Sequence, residues 1–245
     1  MAEVMPRTEE LTFVREGESL RGYAAWLPKH DRMPAVVIVH DVHGLSEHYR
    51  DIARRVAREG FFAFAVDLYS REGAPRLSSL EEVQGWIQRL DDHRVLSDIE
   101  AAAKFLRSRI EVKGSAIGIM GFCLGGEYAF LAACLQSNFA ACVSFYGMLR
   151  WQGKTPNKTS HPLEVADQLR CPFLGLYGEE DPLIPREDIK QLESILKQSG
   201  KQYLLKVYRG AGHAFFNDTR PDAYRADAAK DAWKRCIEFF HQHLG

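Results

Sequence analysis

The chain has 245 residues, 46% hydrophobic and 27% charged, enough to bury a core without a metal or disulfide staple. Its 32 basic and 33 acidic residues give a formal net charge of −1, which leaves no electrostatic footprint for nucleic acid and no polybasic patch for a membrane. The expected partner is a small molecule. In chain order, Leu11–Arg15 and Leu20–Leu27 read as an opening antiparallel pair. Ala35–His40 (AVVIVH) is a short continuous apolar run, the pattern of a strand buried on both faces. Tyr49–Glu59 has helical spacing and stops at Gly60. Phe61–Leu68 is the next buried strand, and Ser79–Arg109 reads as one or two helices around Ser97. Ala116–Gly121 (AIGIMG) is a strand followed by a small-residue helix, Leu124–Leu135. Strands follow at Ala141–Tyr146 and Pro172–Tyr177, a helix at Arg186–Gln198, a strand at Tyr203–Tyr208 and a closing amphipathic helix at Ala226–His243.

Repeated strand-then-helix units predict one α/β domain over residues 1–245, with a mostly parallel sheet and helices on both faces. The stretch between Tyr146 and Pro172 leaves room for only a minimal cap. Five cysteines, an odd number with no C-x-x-C pair, argue against a zinc ribbon or a disulfide framework. Free thiols fit a reducing compartment. The opening MAEVMPRTEEL has acidic residues and no apolar core of a leader, and no apolar run approaches the roughly 20 residues that span a bilayer. The expectation is a soluble, cytoplasmic protein.

In sheets of this kind, sites gather beyond the carboxyl ends of the strands. Gly121-Phe122-Cys123-Leu124-Gly125 stands where the AIGIMG strand meets its helix. It has the G-x-nucleophile-x-G spacing of a nucleophile elbow, with cysteine as the nucleophile. The glycines remove side chains that would clash across the sharp turn. The following helix points its positive end at the sulfur, which favours thiolate, and the Leu124 N–H is placed for a developing oxyanion. Alone, the same pattern would describe a buried cysteine in a glycine-rich turn. After PFLGLYG comes Glu179-Glu180-Asp181-Pro182, where Asp181, set by the two nearby prolines, is the preferred acid. After YLLKVYR comes Gly210-Ala211-Gly212-His213. A lone acid or histidine would be unremarkable. Nucleophile, acid and histidine in that order, each after its own strand, is the α/β-hydrolase order.

The loop after AVVIVH, His40-Asp41-Val42-His43-Gly44, is expected to supply the second oxyanion N–H from Val42. Asp41 would then sit beside the nucleophile and repel a thiolate, a candidate gating role against the plainer reading of a loop cap. His40 and His43 lack further ligands nearby, so no metal is expected, and acyl transfer by a cysteine needs no cofactor. Phe122, Tyr146, Trp151 and Phe215 are candidates for lining an apolar pocket and equally for core.

GFCLGG, VDLYSR at Asp67-Leu68-Tyr69, SDIEAAAKFLRS and GHAF together resemble the dienelactone hydrolase (carboxymethylenebutenolidase) family over most of the chain. The resemblance implies an α/β-hydrolase fold, Cys123 as nucleophile, Asp181 and His213 as its partners, and Leu124 and Val42 as oxyanion donors. It places Asp41 where the family has a glutamate. The family's two carboxylate-gripping arginines fall here on Asn217 and near Leu80, leaving Arg76 as the nearest replacement. Losing a bidentate arginine is not conservative, so a less acidic ester, lactone or thioester stands beside dienelactone as the expected substrate. Other readings are a carboxylesterase, thioesterase or peptidase on this fold, or a non-catalytic ligand-binding member.

Overall fold

Short runs of Val, Ile, Phe and Ala build the centre of the molecule, because they can be buried on both faces of a sheet. The structure, a computed structural model, describes residues 4–28, 31–136 and 139–245, with the backbone alone at 115 and 116. The first three residues of the N-terminal segment considered above lie outside it. Strands β1 (Arg7–Arg15) and β2 (Glu18–Trp26) form the expected antiparallel pair. They are followed by β3 (Met33–Val39), β4 (Phe62–Val66), β5 (Val112–Phe122), β6 (Ala141–Phe145), β7 (Phe173–Gly178) and β8 (Tyr203–Tyr208). All eight join one sheet in the order β1-β2-β4-β3-β5-β6-β7-β8. From β4 to β8 every neighbouring pair is parallel.

The helices are α1 (Glu47–Arg58), α2 (Leu80–Arg89), α3 (Asp92–Ser108), α4 (Leu124–Leu135), α5 (Arg186–Gln198) and α6 (Ala226–Leu244). Helices α3 and α4 pack together on one face of the sheet with a 3-10 turn at Pro162–Gln168, while α1 and α6 cover the strands from the other side. That 3-10 turn has no apolar periodicity and was not expected. The Ser79–Arg109 segment divides at Leu90–Asp91 rather than around Ser97. The reason is local: the Asp91 side chain accepts the His93 and Arg94 N–H groups and starts a new helix. Ser97 is accommodated inside α3, its hydroxyl donating to the His93 carbonyl.

Strand order reverses between β3 and β5: the chain leaves β3 toward β4, then crosses back to the far side of β3. This switch point opens a crevice at the carboxyl ends of the two strands. Val39 pairs with Gly121, so Asp41 and Cys123, two residues further along each strand, come out side by side.

Helix α4 can start there only because its first turn lies almost on the sheet. A Cβ on Gly125 would stand 2.2 Å from the Val39 carbonyl oxygen, and one on Gly121 would stand 1.9 Å from that of Gly125. Both obstacles are backbone, which cannot swing aside. We therefore expect Gly125→Ala to destabilise the fold by about 3 kcal/mol or more, seen as a lowered denaturant midpoint. A midpoint within error of the parent would show that this close approach is dispensable.

Candidate active site

Cys123 sits at the tip of β5 with φ 53° and ψ −123°, a left-handed conformation that side chains rarely adopt. Its N–H donates to the Phe145 carbonyl at 3.0 Å, which ties the elbow to the end of β6. Among the described residues, four non-glycine positions have positive φ, and three of them (Cys123, Tyr146 and Ala214) border one cavity. Strain concentrated in this way is the mark of a site over-determined by its surroundings.

Beyond β7, the buried Asp181 presents Oδ2 to Nδ1 of His213 at 2.8 Å, and its Oδ1 accepts the Leu183 N–H at 2.9 Å. Both carboxylate oxygens are thus engaged, which fixes the acid and through it the imidazole. Glu179 turns away to the Gly210 N–H and the Arg186 guanidinium, and Glu180 is exposed. His213 Nε2 is buried, and the Cys123 sulfur is the group near enough to it to act on the ring's protonation. Burial pushes the imidazole pKa down. The negative charge and hydrogen bonding of Cys123 and Asp181 outweigh it and hold His213 at about 10.

Cys123, His213, Asp41, Val42, Tyr146, Asn217 and Arg220 border a cavity of about 320 Å³. Leu124, the first residue of α4, has no intrahelical acceptor for its N–H. His40 lies fully buried behind the Val42 loop. Its Nε2 accepts the Leu68 N–H at 3.1 Å and its Nδ1 donates to the Asp41 carbonyl at 2.6 Å, so it fastens that loop to the end of β4. The Tyr69 hydroxyl donates to the Val42 carbonyl at 3.1 Å from the same side.

Residues 20–244 match the family model described as the dienelactone hydrolase family. The chain belongs to the dienelactone hydrolase family. A Bradyrhizobium sp protein named "Probable 2-oxo-3-(5-oxofuran-2-ylidene)propanoate lactonase" is 39% identical over 228 residues, 93% of this chain and 91% of that one. The "Putative carboxymethylenebutenolidase" of Escherichia coli (strain K12) is 36% identical over 235 residues, 94% of this chain and 85% of that one. A Klebsiella pneumoniae crystal structure called "Putative Dienelactone Hydrolase" superposes with TM-score 0.91 at 32% identity, covering 97% of this chain and 99% of the other. The fold is thereby that of the dienelactone hydrolases and their α/β-hydrolase relatives, and family membership makes the chain a hydrolase.

Set against this family frame, the cavity differs from the sequence expectations in its arginine. Arg76 is exposed and does not border the cavity, whereas Arg220 does, seven residues beyond His213 and beside Asn217. No motif marked Arg220, because it lies in an irregular stretch where neither periodicity nor turn chemistry places a side chain. Ser78, Ser79 and Leu80 form the facing wall. Of the four aromatic candidates, Tyr146 borders the cavity, its ring 5.2 Å from that of His213. Phe122 and Phe215 are fully buried core: Phe122 stacks on Phe145 at 4.6 Å, and Phe215 packs on Tyr208 at 5.1 Å. Asp41 does two things: its Oδ1 accepts the His43 N–H at 2.9 Å, the loop-cap role, and it also faces the cavity with Cys123.

Two buried ionisable groups had no sequence signal. Glu127, one turn after Cys123, has neither carboxyl oxygen hydrogen-bonded among the described residues. Burial first, and the nearby Cys123 charge second, push its pKa well up, so it is a neutral acid. Lys158 is completely buried and donates to the Leu90 carbonyl (2.7 Å), Asp92 Oδ1 (2.6 Å) and the Tyr128 hydroxyl (2.8 Å).

For His213, a raised pKa means that its stabilising contribution is complete below the ordinary value of 6.5 and lost as pH climbs through about 10. An NMR titration of the His213 ring is expected to show a midpoint near that upper value. Asp181→Asn removes a charge and an acceptor and should move the midpoint toward neutrality. A midpoint unchanged by the substitution would mean that Asp181 does not set the protonation of His213.

Proposed function

We propose that this hydrolase cleaves a small lactone or ester through a cysteine acyl-enzyme, with Cys123, His213 and Asp181 as the catalytic set. The observation that carries the reading is the strained Cys123 at the helix start, sharing one cavity with a histidine whose Nδ1 is bound by a buried carboxylate. The Cys123 thiolate attacks the carbonyl carbon, and the oxygen becomes an oxyanion held by the Leu124 and Val42 N–H groups. The His213 imidazolium gives its proton to the departing alkoxide as the C–O bond breaks, leaving a thioester. The now neutral imidazole takes a proton from water, whose oxygen attacks the thioester. Collapse releases the acid and restores the thiolate beside imidazolium. Asp181 keeps the imidazole in the tautomer that turns Nε2 to the sulfur. Asp41 is the gating candidate: it repels the resting thiolate and is relieved when substrate displaces it from the cavity.

Arg220 adds a substrate preference. No hydrogen bond or ion pair to its guanidinium is seen among the described residues, and it stands at the cavity next to Asn217. A carboxylate on the substrate can reach it, which favours an anionic lactone or ester.

Cys123→Ala, and iodoacetamide treatment of the parent, should each reduce hydrolysis of short p-nitrophenyl esters by at least about 100-fold. Activity persisting after both would remove Cys123 as nucleophile. Arg220→Gln should raise KM about tenfold for a carboxylate-bearing lactone and leave a neutral ester little changed. Equal effects on both substrates would argue against a carboxylate contact.

A further inference from the structure

Cys123 stands at the mouth of two cavities. The larger, about 320 Å³, is bordered by Asp41, His43, His213 and Arg220. The smaller, about 40 Å³, adjoins it, sharing Leu80, Val83, Cys123 and Leu183 and lying between α2 and the segment Met148–Gln152. Its walls are Leu80, Val83, Ile87, Met148, Trp151 and Leu183 together with Gln84, Gln88 and Gln152, and among the described residues no charged side chain borders it. That size admits about three heavy atoms.

Resting on Cys123 as nucleophile, we propose that the smaller cavity is the acyl subsite of this enzyme and takes a short apolar substituent of two to three carbons. The assignment of sides follows from the proton. The departing oxygen must lie within reach of His213, and His213 borders only the larger cavity. The leaving group and any carboxylate therefore point into the larger cavity, and the substituent on the carbonyl carbon is left the smaller one, which His213 does not border. A charged group there would be desolvated without a counter-charge, so the subsite excludes ions, and its largely apolar wall favours carbon.

The two walls differ in stiffness. Trp151 is held at three points. Its indole N–H donates to the Ser160 carbonyl at 2.9 Å, its backbone N–H donates to His161 Nδ1 at 3.1 Å, and the anchored Lys158 ammonium lies 4.5 Å over its ring. Helix α2 buries only Ile87 fully, and Leu80 at its start is 59% exposed. The tryptophan side sets a hard limit on length, and the α2 side closes over what fits.

The test is a p-nitrophenyl acyl series from acetate to octanoate. For the parent, kcat/KM should rise about tenfold from acetate to butyrate and fall again by octanoate. Gln84→Trp, which fills the subsite from the half-buried face of α2, should bring the butyrate-to-acetate ratio close to one. Met148→Ala should move the optimum to a longer chain. In parallel, acetamide and butyramide are used to protect Cys123 from iodoacetamide, a readout that needs no turnover. Butyramide should protect at about tenfold lower concentration in the parent and lose that advantage in Gln84→Trp. Equal protection by the two amides, or a chain-length profile that Gln84→Trp leaves unaltered, overturns the subsite. If the amides discriminate as expected but esters are turned over without dependence on Cys123, the subsite stands and the nucleophile assignment falls.

Discussion

The backbone of α4 touches the backbone of β3, and the active site depends on that contact. With no side chain at Gly125, the first turn of the helix comes within van der Waals range of the Val39 and His40 carbonyls. The strand can reach this helix only by a turn so tight that Cys123 is driven to positive φ. The same approach holds the free N–H groups of the helix start beside the sulfur and brings the Asp41–Val42 loop alongside through the Val39–Gly121 pairing. The position of Cys123, the helix dipole aimed at it and the free N–H groups beside it are therefore consequences of one steric fact. Wedging the helix outward by a single methyl group would separate all three at once.

Acidic side chains crowd this elbow, and the structure gives each a different electrostatic fate. Asp181 spends its charge on His213 and on the Leu183 N–H. Asp41 is half-buried at the rim and tied to the His43 N–H. Glu127 is buried with no hydrogen-bond partner among the described residues, and burial holds its carboxyl protonated. Neutral Glu127 matters because an ionised carboxylate one helical turn from the sulfur would oppose the thiolate. Burial removes that repulsion by making the charged form too costly. The positive charge beside Cys123 comes from His213, whose pKa is held up to about 10 by Cys123 and Asp181 against the cost of burial.

Much of this could be read from the sequence because it rests on short-range constraints. Apolar runs with glycine-rich ends gave β3, β5, β7 and β8, and helices α4 and α5 fall on the expected boundaries. The G-x-C-x-G spacing carried the elbow because its glycines answer a local clash. Asp181 was separable from Glu179 and Glu180 by the prolines that set its turn. Where the reading went astray, the decisive forces were long-range or sat in irregular backbone. Arg76 was favoured by its nearness to α2 in the sequence, yet the chain carries it to the surface and brings Arg220 to the cavity from a different loop. The division of Ser79–Arg109 was misplaced because a mid-helix serine and an N-capping aspartate look equally disruptive until their hydrogen bonds are known. Lys158 reads as a surface lysine in a polar loop, and only three acceptors from distant parts of the fold make its burial tolerable.

That lysine shows how a loop without its own periodicity can still form a precise wall. Burial pushes the Lys158 pKa down and the Asp92 pKa up, so each partner resists ionisation and the pair contributes little net stability over an apolar equivalent. An apolar equivalent, however, has no directional requirement. An ammonium with its three donors committed to the Leu90 carbonyl, Asp92 and Tyr128 has one acceptable position, at the junction of α2 and α3 and against the helix that carries Cys123. The Asp92 N–H returns the link by donating to the Asn157 carbonyl at 3.1 Å. Beyond the single Thr155–Lys158 bridge, the segment has little regular structure near Trp151 to hold the indole in place. The buried cation therefore joins the hydrogen bonds from Trp151 to Ser160 and His161 in fixing the position of the indole.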